Sequence, residues 1–405
     1  MLESWYVDLV TLSVFHKKYS VNNHLMSRLC NNDGDRYAEA LRRSIPHPKV
    51  TREGIKFLSM DAKTARDILI QHGVVSTKAE LIPLAGGVSC DVWRIDRAAM
   101  CPPHADDCPF GLVVKAPLAQ LRVPTVWKAD VSRGIAETQA LGVYASITPT
   151  RVPSVVWSQE VEPLLAMEAA PWDWQEWREQ LFECPAPDRL VGARRISEIC
   201  RSLGDTLAQW HTETGDVGNL PEALTTGDRL RTLRTNPFHR ATASAVPRWA
   251  DMLNRLASDL EEVSICLVHG DFSPKNFLVS PTSDTELWIL DAEVAHLGNP
   301  ALDVSYLSAH LILKAIARPE LRAHLDDGRR YFEAAYRGVS SLVDPKVWNS
   351  QTGAIVAARV FGISRATYLN EEQQREATRV ADELLLEGAG LDSVWSSMSA
   401  KSLAT

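Results

Sequence analysis

The segment Val268–Phe277, VHGDFSPKNF, sets an aspartate, Asp271, five positions before an asparagine, Asn276, between two apolar strand-like runs. An aspartate held at the end of a strand and facing a cleft can accept the proton of an attacking hydroxyl. An asparagine on the same loop can offer its carbonyl oxygen to a magnesium ion. The next apolar run, ELWIL, delivers Asp291 in LDAE, a second hard oxygen donor where a strand ends. Magnesium keeps most of its coordination for water and substrate phosphates, so two protein oxygens suffice. Together these residues describe a site for phosphoryl transfer.

Such a site needs groups that hold a triphosphate. Gly86 and Gly87, between two strand patterns, allow a tight turn that brings backbone N–H groups and Ser89 against phosphates. Lys115, in LVVKAP on the third strand, can reach the α- and β-phosphates if an acid steadies its ammonium. Glu137, in RGIAETQAL on the helix that follows, is the expected partner.

HGDFSPKN followed by LDAEVAHLGNPALD resembles the aminoglycoside phosphotransferase and choline kinase family, and the likeness covers roughly residues 61–386. It implies a protein-kinase-like fold and transfer of the γ-phosphate of ATP, or of GTP as the alternative, to a small-molecule hydroxyl with Mg²⁺. Carried over by position, Asp271 is the catalytic base, and Asn276 and Asp291 are the metal ligands. Asp303, in GNPALD, braces the catalytic loop, and His269 props it by hydrogen bonding. Met167, Glu168 and Ala169 match the connector between lobes, whose backbone pairs with adenine's edge. Protein kinases carry a lysine two positions after the aspartate; here Ser273 stands there and the lysine is Lys275. With no APE-like segment between Asp291 and Asp303, this points away from protein substrates. The rival readings are a nucleotide-binding regulatory module without transfer and, third, a protein kinase.

The elements that must position these groups form an α+β, two-lobed pattern. DAKTARDILIQHG reads as a helix; AELIPL, DVWRI, LVVKAP, PSVVW and PLLAME read as a small antiparallel sheet with one inserted helix. Long helical segments dominate after Glu168. The expected division is a loosely organised extension over 1–60, a nucleotide-binding lobe over 61–168 and a mainly helical catalytic and acceptor-binding lobe over 169–400.

Three other clusters carry weaker signals. CPPHADDC (101–108) has zinc-like spacing but no fourth ligand nearby, and reads as an exposed loop between the second and third strands. Trp172, Trp174 and Trp177 lie where a cationic or ring-bearing acceptor would be met, though pinning a helix is the commoner use of tryptophan. Arg229, Arg231, Arg234 and Arg240 read as a solvated or locally paired segment. At 405 residues and 45% hydrophobic content the chain can bury a large core, and a net charge of −8 offers no broad field for nucleic acid. The seven cysteines suit a reducing compartment, no run of about 18 apolar residues reads as a membrane span, and cytoplasm is expected. The expected partner is a small hydroxyl compound; neither the acceptor's identity nor the oligomeric state is encoded in a motif.

Overall fold

Helix α1 (Ala62–Gln71) begins where the Asp61 carboxylate accepts the Thr64 N–H at 2.7 Å, which satisfies an amide the first turn leaves open. Our computed structural model describes residues 60–84, 87–123, 126–183, 189–215 and 220–402, so the expected extension, up to residue 59, lies outside the described residues. Strands β1 (Ile82–Pro83), β2 (Cys90–Ile95), β3 (Leu112–Pro117), β4 (Val155–Gln159) and β5 (Leu164–Glu168) form one antiparallel sheet in the order β1-β2-β3-β5-β4. β5 takes the inner place because Leu164, Leu165, Ala166 and Met167 are all buried and need cover on both faces. β4 is half-exposed and forms the edge.

One face of the sheet packs on α1, with Trp93, Ile95, Leu112, Val114 and Ala166 against Ala65 and Leu69. The other face is covered by α2 (Arg133–Ile147), whose Ala136, Ala140, Leu141 and Tyr144 meet Leu165 and Met167. Tyr144 also stacks on Trp210 at 3.8 Å, so α2 is continuous with the large core beyond the sheet. The connection between β2 and β3 differs from the exposed loop expected there. His104–Asp107 forms a helical turn, and Cys108 joins the α1 core at 1% exposure, because its thiol packs as a small apolar group.

After Glu168 come β6 (Gln175–Glu176), α3 (Trp177–Glu183), α4 (Arg189–Glu213), a π-helical stretch (Arg231–Arg240) and α5 (Ala250–Glu262). β7 (Cys266–Val268), β8 (Phe277–Val279), β9 (Leu287–Ile289) and β10 (His296–Gly298) follow, then α6 (Ala301–Ala317), α7 (Arg322–Val339), α8 (Pro345–Phe361), α9 (Glu371–Leu385) and α10 (Leu391–Ser402). α6 is apolar almost all round and is buried among α7, α8 and α9. β7 pairs antiparallel with β10, and β8 lies between β6 and β9. None of the described helices is long and apolar enough to cross a membrane.

Candidate active site

The loop after β7 is clamped from below by the first turn of α6. Asp303, fully buried, accepts the backbone N–H of His269 and of Gly270, each at 2.7 Å, and its Oδ2 lies 3.2 Å from His211 Nε2. Gly270 holds φ +78°, and a Cβ there would come within 2.9 Å of Val294 Cβ. The Asp271 N–H donates to His269 Nδ1 (3.2 Å), so Nε2 carries the proton and donates to the Leu290 carbonyl (3.0 Å). Burial holds the His269 pKa below its usual value, which suits this neutral form. The ring thus ties the loop bearing Asp271 to the end of β9.

Asn276 and Asp291 are neighbours for a similar reason. β8 and β9 pair with Phe277 opposite Ile289, and the Leu290 N–H donates to the Asn276 carbonyl at 2.8 Å. Asn276 Nδ2 donates to the Asp271 carbonyl (2.8 Å), which leaves its Oδ1 as the outward donor atom. Asp291 sits in the left-handed region at φ +67°, an uncommon conformation for a residue with a Cβ and one that concentrates at functional turns.

Charges interlock across these loops. Asp271 Oδ2 lies 2.7 Å from Lys275 Nζ and 3.1 Å from Arg234 Nη2. Burial alone would push its carboxyl up; Lys275 and Arg234 override it and hold the group well below the usual carboxylate range. Lys275 also lies 4.0 Å from Asp291 Oδ2. Lys115 Nζ bridges Glu137 Oε1 (2.6 Å) and Asp291 Oδ1 (2.7 Å). Burial opposes its charge, but Asp291 and Glu137 outweigh that and keep it protonated, while burial pushes Glu137 up to about 7 against the pull of Lys115.

Among the described residues no group of three or more His, Cys, Asp or Glu side chains could hold a metal ion by itself. The amide oxygen of Asn276 and the carboxylate of Asp291 are hard donors too few for an all-protein cage. That donor set fits magnesium, which is commonly completed by water and phosphate oxygens.

Of the expected phosphate turn, Gly86 lies outside the described residues. Gly87 is a glycine by necessity, since a Cβ would run into the Cys90 carbonyl. Ser89 is buried, and its carbonyl accepts the Leu118 N–H (2.8 Å) and Arg133 Nη2. Arg133, fully buried, also pairs with Glu293 (2.9 Å), two residues beyond Asp291, and so links the turn to the loop that bears Asp291. Met167, Glu168 and Ala169 end β5. The N–H of Glu168 is taken by the Ser154 carbonyl (2.9 Å) and that of Ala169 by the Gly111 carbonyl (3.0 Å), so these two amides are not open to an adenine ring.

A cavity of about 470 Å³ opens beside Asp271 and Ser89. Its walls include Trp127 and side chains from α3, α6 and α8, none of which stood out in the sequence as functional. One signal was available: Asp303, Tyr306, His310 and Lys314 form a polar stripe at helical spacing on the otherwise apolar α6. Trp172, Trp174 and Trp177 do not line the cavity. Trp177 is buried against Phe277, Trp174 packs edge-on to Trp288, and Trp172 is exposed beneath the Arg94 guanidinium at 3.6 Å. The arginine segment is not simply solvated: Arg234 is buried at the site, and Arg229 is buried with its Nη2 on the Ala295 carbonyl (2.9 Å). Both are drawn inward because the π-helical stretch and its approach pack beneath the loop that bears Asp271.

Residues 124–341 match the model of a phosphotransferase enzyme family. A methylthioribose kinase of Geobacillus sp. (strain WCH70) is 26% identical over 248 residues, 53% of this chain and 58% of the relative. The methylthioribose kinase of Geobacillus thermodenitrificans (strain NG80-2) is 24% identical over 339 residues, 70% of this chain and 82% of the relative. Among solved structures, a microcompartment-associated aminopropanol kinase has a TM-score of 0.48 at 15% identity, covering 83% of this chain and 98% of that one.

Proposed function

The chain belongs to the phosphotransferase enzyme family, and on that premise we propose that it is an ATP- and Mg²⁺-dependent kinase of a small-molecule hydroxyl. The observation that carries the proposal is the convergence of Asp271, Lys275, Asp291, Lys115 and Glu137 in one chain of ion pairs, each link 4.0 Å or less. GTP is the alternative donor, and the cytoplasm the proposed location.

In this reading the acceptor oxygen forms a bond to the γ-phosphorus, the bond from that phosphorus to the bridging oxygen breaks, ADP leaves, and the hydroxyl proton passes to the Asp271 carboxylate. Asp271 orients the hydroxyl more than it drives deprotonation, since Lys275 and Arg234 make it a weak base. Lys115, held by Glu137, lies against the α- and β-phosphates, and Gly87 and Ser89 cover them. Asn276 and Asp291 would hold the magnesium, which supplies charge neutralisation for the phosphate oxygens. His269 and Asp303 keep the Asp271 backbone rigid, so catalysis rests on placement and fixed charge.

The test is nucleoside diphosphate release over a broad set of hydroxyl compounds, with Asp271→Asn as the blank. Turnover that vanishes in the variant while ATP still binds supports the proposal. Turnover that persists with the same acceptor would remove Asp271 from its role.

A further inference from the structure

The cavity that opens beside Asp271 is lined by several polar atoms without a partner among the described residues. Lys314, on α6, is 1% exposed, with Nζ 3.2 Å from the Phe182 ring centroid and 4.1 Å from that of Tyr368. No carboxylate lies within 4 Å of it among the described residues. Arg359, on α8, uses Nη1 on Ser364, while its Nε is buried without a partner, as are the hydroxyls of Tyr306 and Tyr368. All four residues line the one cavity. Buried polar groups are almost always satisfied, so three partnerless atoms and a lysine faced only by aromatic rings, all around one space, point to a ligand that supplies the acceptors.

The charge of the lining gives that ligand its sign. Six basic side chains face the cavity, against two carboxylates, Asp271 and Glu293. Both carboxylates are already paired, Asp271 with Lys275 and Arg234, Glu293 with Arg133. Arg178 is matched by Glu176 at 2.6 Å, but Lys314, Arg359 and Arg365 have no ion pair among the described residues. Burial, then Arg178 and Arg359, push the Lys314 pKa down to about 6, with only Glu176 opposing. An amino alcohol or aminoglycoside would meet repulsion here, and a neutral sugar would leave the cations unmatched.

We propose that the acceptor is a small anionic alcohol, whose carboxylate or phosphate is held by Lys314 and Arg359 while its hydroxyl faces Asp271. This rests on the kinase reading above and names its substrate class. Phe182, Tyr306 and Tyr368 supply the walls for the body of the molecule, and the two tyrosine hydroxyls donate to it. Tyr306 marks the inner end, since the Arg234 guanidinium that pairs with Asp271 lies 5.5 Å from its ring. Tyr306, His310 and Lys314 follow at four-residue steps along one face of α6, which separates the two ends by about 12 Å. The anion and the reacting hydroxyl therefore stand on the order of 10 Å apart in the bound acceptor.

The inference is tested by ADP release with three groups of compounds that differ in charge: D-gluconate, glucose 6-phosphate and longer hydroxy acids; glucosamine, amino alcohols and kanamycin; and glucose and methylthioribose. Turnover confined to the anionic group is expected, with Lys314→Met raising the acceptor KM at least tenfold, changing kcat less and leaving the KM for ATP unchanged. Lys314→Met should keep or raise the Tm, because it removes a buried amine that no protein acceptor among the described residues satisfies. Arg359→Gln should act in the same direction on the acceptor KM. Turnover confined to cationic or neutral compounds overturns the anionic assignment and leaves the kinase reading standing. An unchanged anion KM in both variants does the same. No turnover with any group, while ATP binds, sinks the kinase reading and this inference with it.

Discussion

Arg234 reaches the loop after β7 twice: its Nη2 lies 3.1 Å from Asp271 Oδ2, and its Nε donates to the Gly270 carbonyl at 2.5 Å. One guanidinium thus fixes both the side chain of the proposed base and the backbone that carries it. Losing it frees the carboxylate to rotate, and small misplacements of a reacting group can cost about 10²-fold. Arg234→Gln should therefore lower kcat roughly 10- to 100-fold with little change in the KM for ATP. Steady-state kinetics on both substrates checks this, and an unchanged kcat would remove Arg234 from the positioning of Asp271.

Gly270→Ala addresses the loop from the other side. The substituted residue would have to keep φ +78° with its Cβ 2.9 Å from both Val294 Cβ and the Val294 carbonyl oxygen. Strain of this kind costs about 1–3 kcal/mol before any displacement of Val294. A lower urea midpoint together with loss of turnover is expected. Wild-type stability and rate would show that the loop can relax.

Lys115→Met leaves the buried Glu137 and the half-buried Asp291 without the cation they share. Removing one partner of a buried pair typically costs about 3–5 kcal/mol, part of which the carboxylates recover here by taking up protons. ATP affinity should fall at least tenfold, by a margin of about 1.4 kcal/mol or more. Glu137→Gln, which keeps the shape and a hydrogen-bond acceptor, should weaken it less. Titration with a fluorescent ATP analogue separates the two; equal and negligible effects would detach the pair from nucleotide binding.

Stability should fall in acid for a reason independent of the site. Burial holds His239 and His296 at about 4, and each ring has one nitrogen without a partner in the core. Their folded pKa values are depressed below the unfolded value near 6.5, so the unfolded chain binds protons first as pH drops. The stabilisation is complete above about pH 6.5 and is lost as pH falls toward about 4, at most roughly 3 kcal/mol for each ring. Urea melts from pH 7.5 to 4.5 should show this decline, and His239→Asn should flatten it. A profile that stays level through that window in the wild type would contradict the assignment.

The sequence by itself determined the parts whose chemistry is local. HGDFSPKN and LDAE are short loops in which residue type, spacing and the flanking strands declare their use, and the short apolar β2, β3 and β5 segments announce a sheet that carries Lys115. The tertiary structure alone decided which distant charges meet. Arg234, Arg133 and Glu293 look like ordinary surface residues in one dimension, because a lone charge on a polar segment is usually solvated; here packing takes each out of water and forces it to find a partner. The cavity beside Asp271 shows the same limit. The polar stripe of α6 follows from helical periodicity, but nothing in that periodicity says that Phe182 and Tyr368 will close around Lys314, or that no carboxylate will. Those contacts arise where α3, α6 and the turn after α8 converge, so the charge of the cavity is a property of tertiary packing, and no stretch of contiguous sequence contains it.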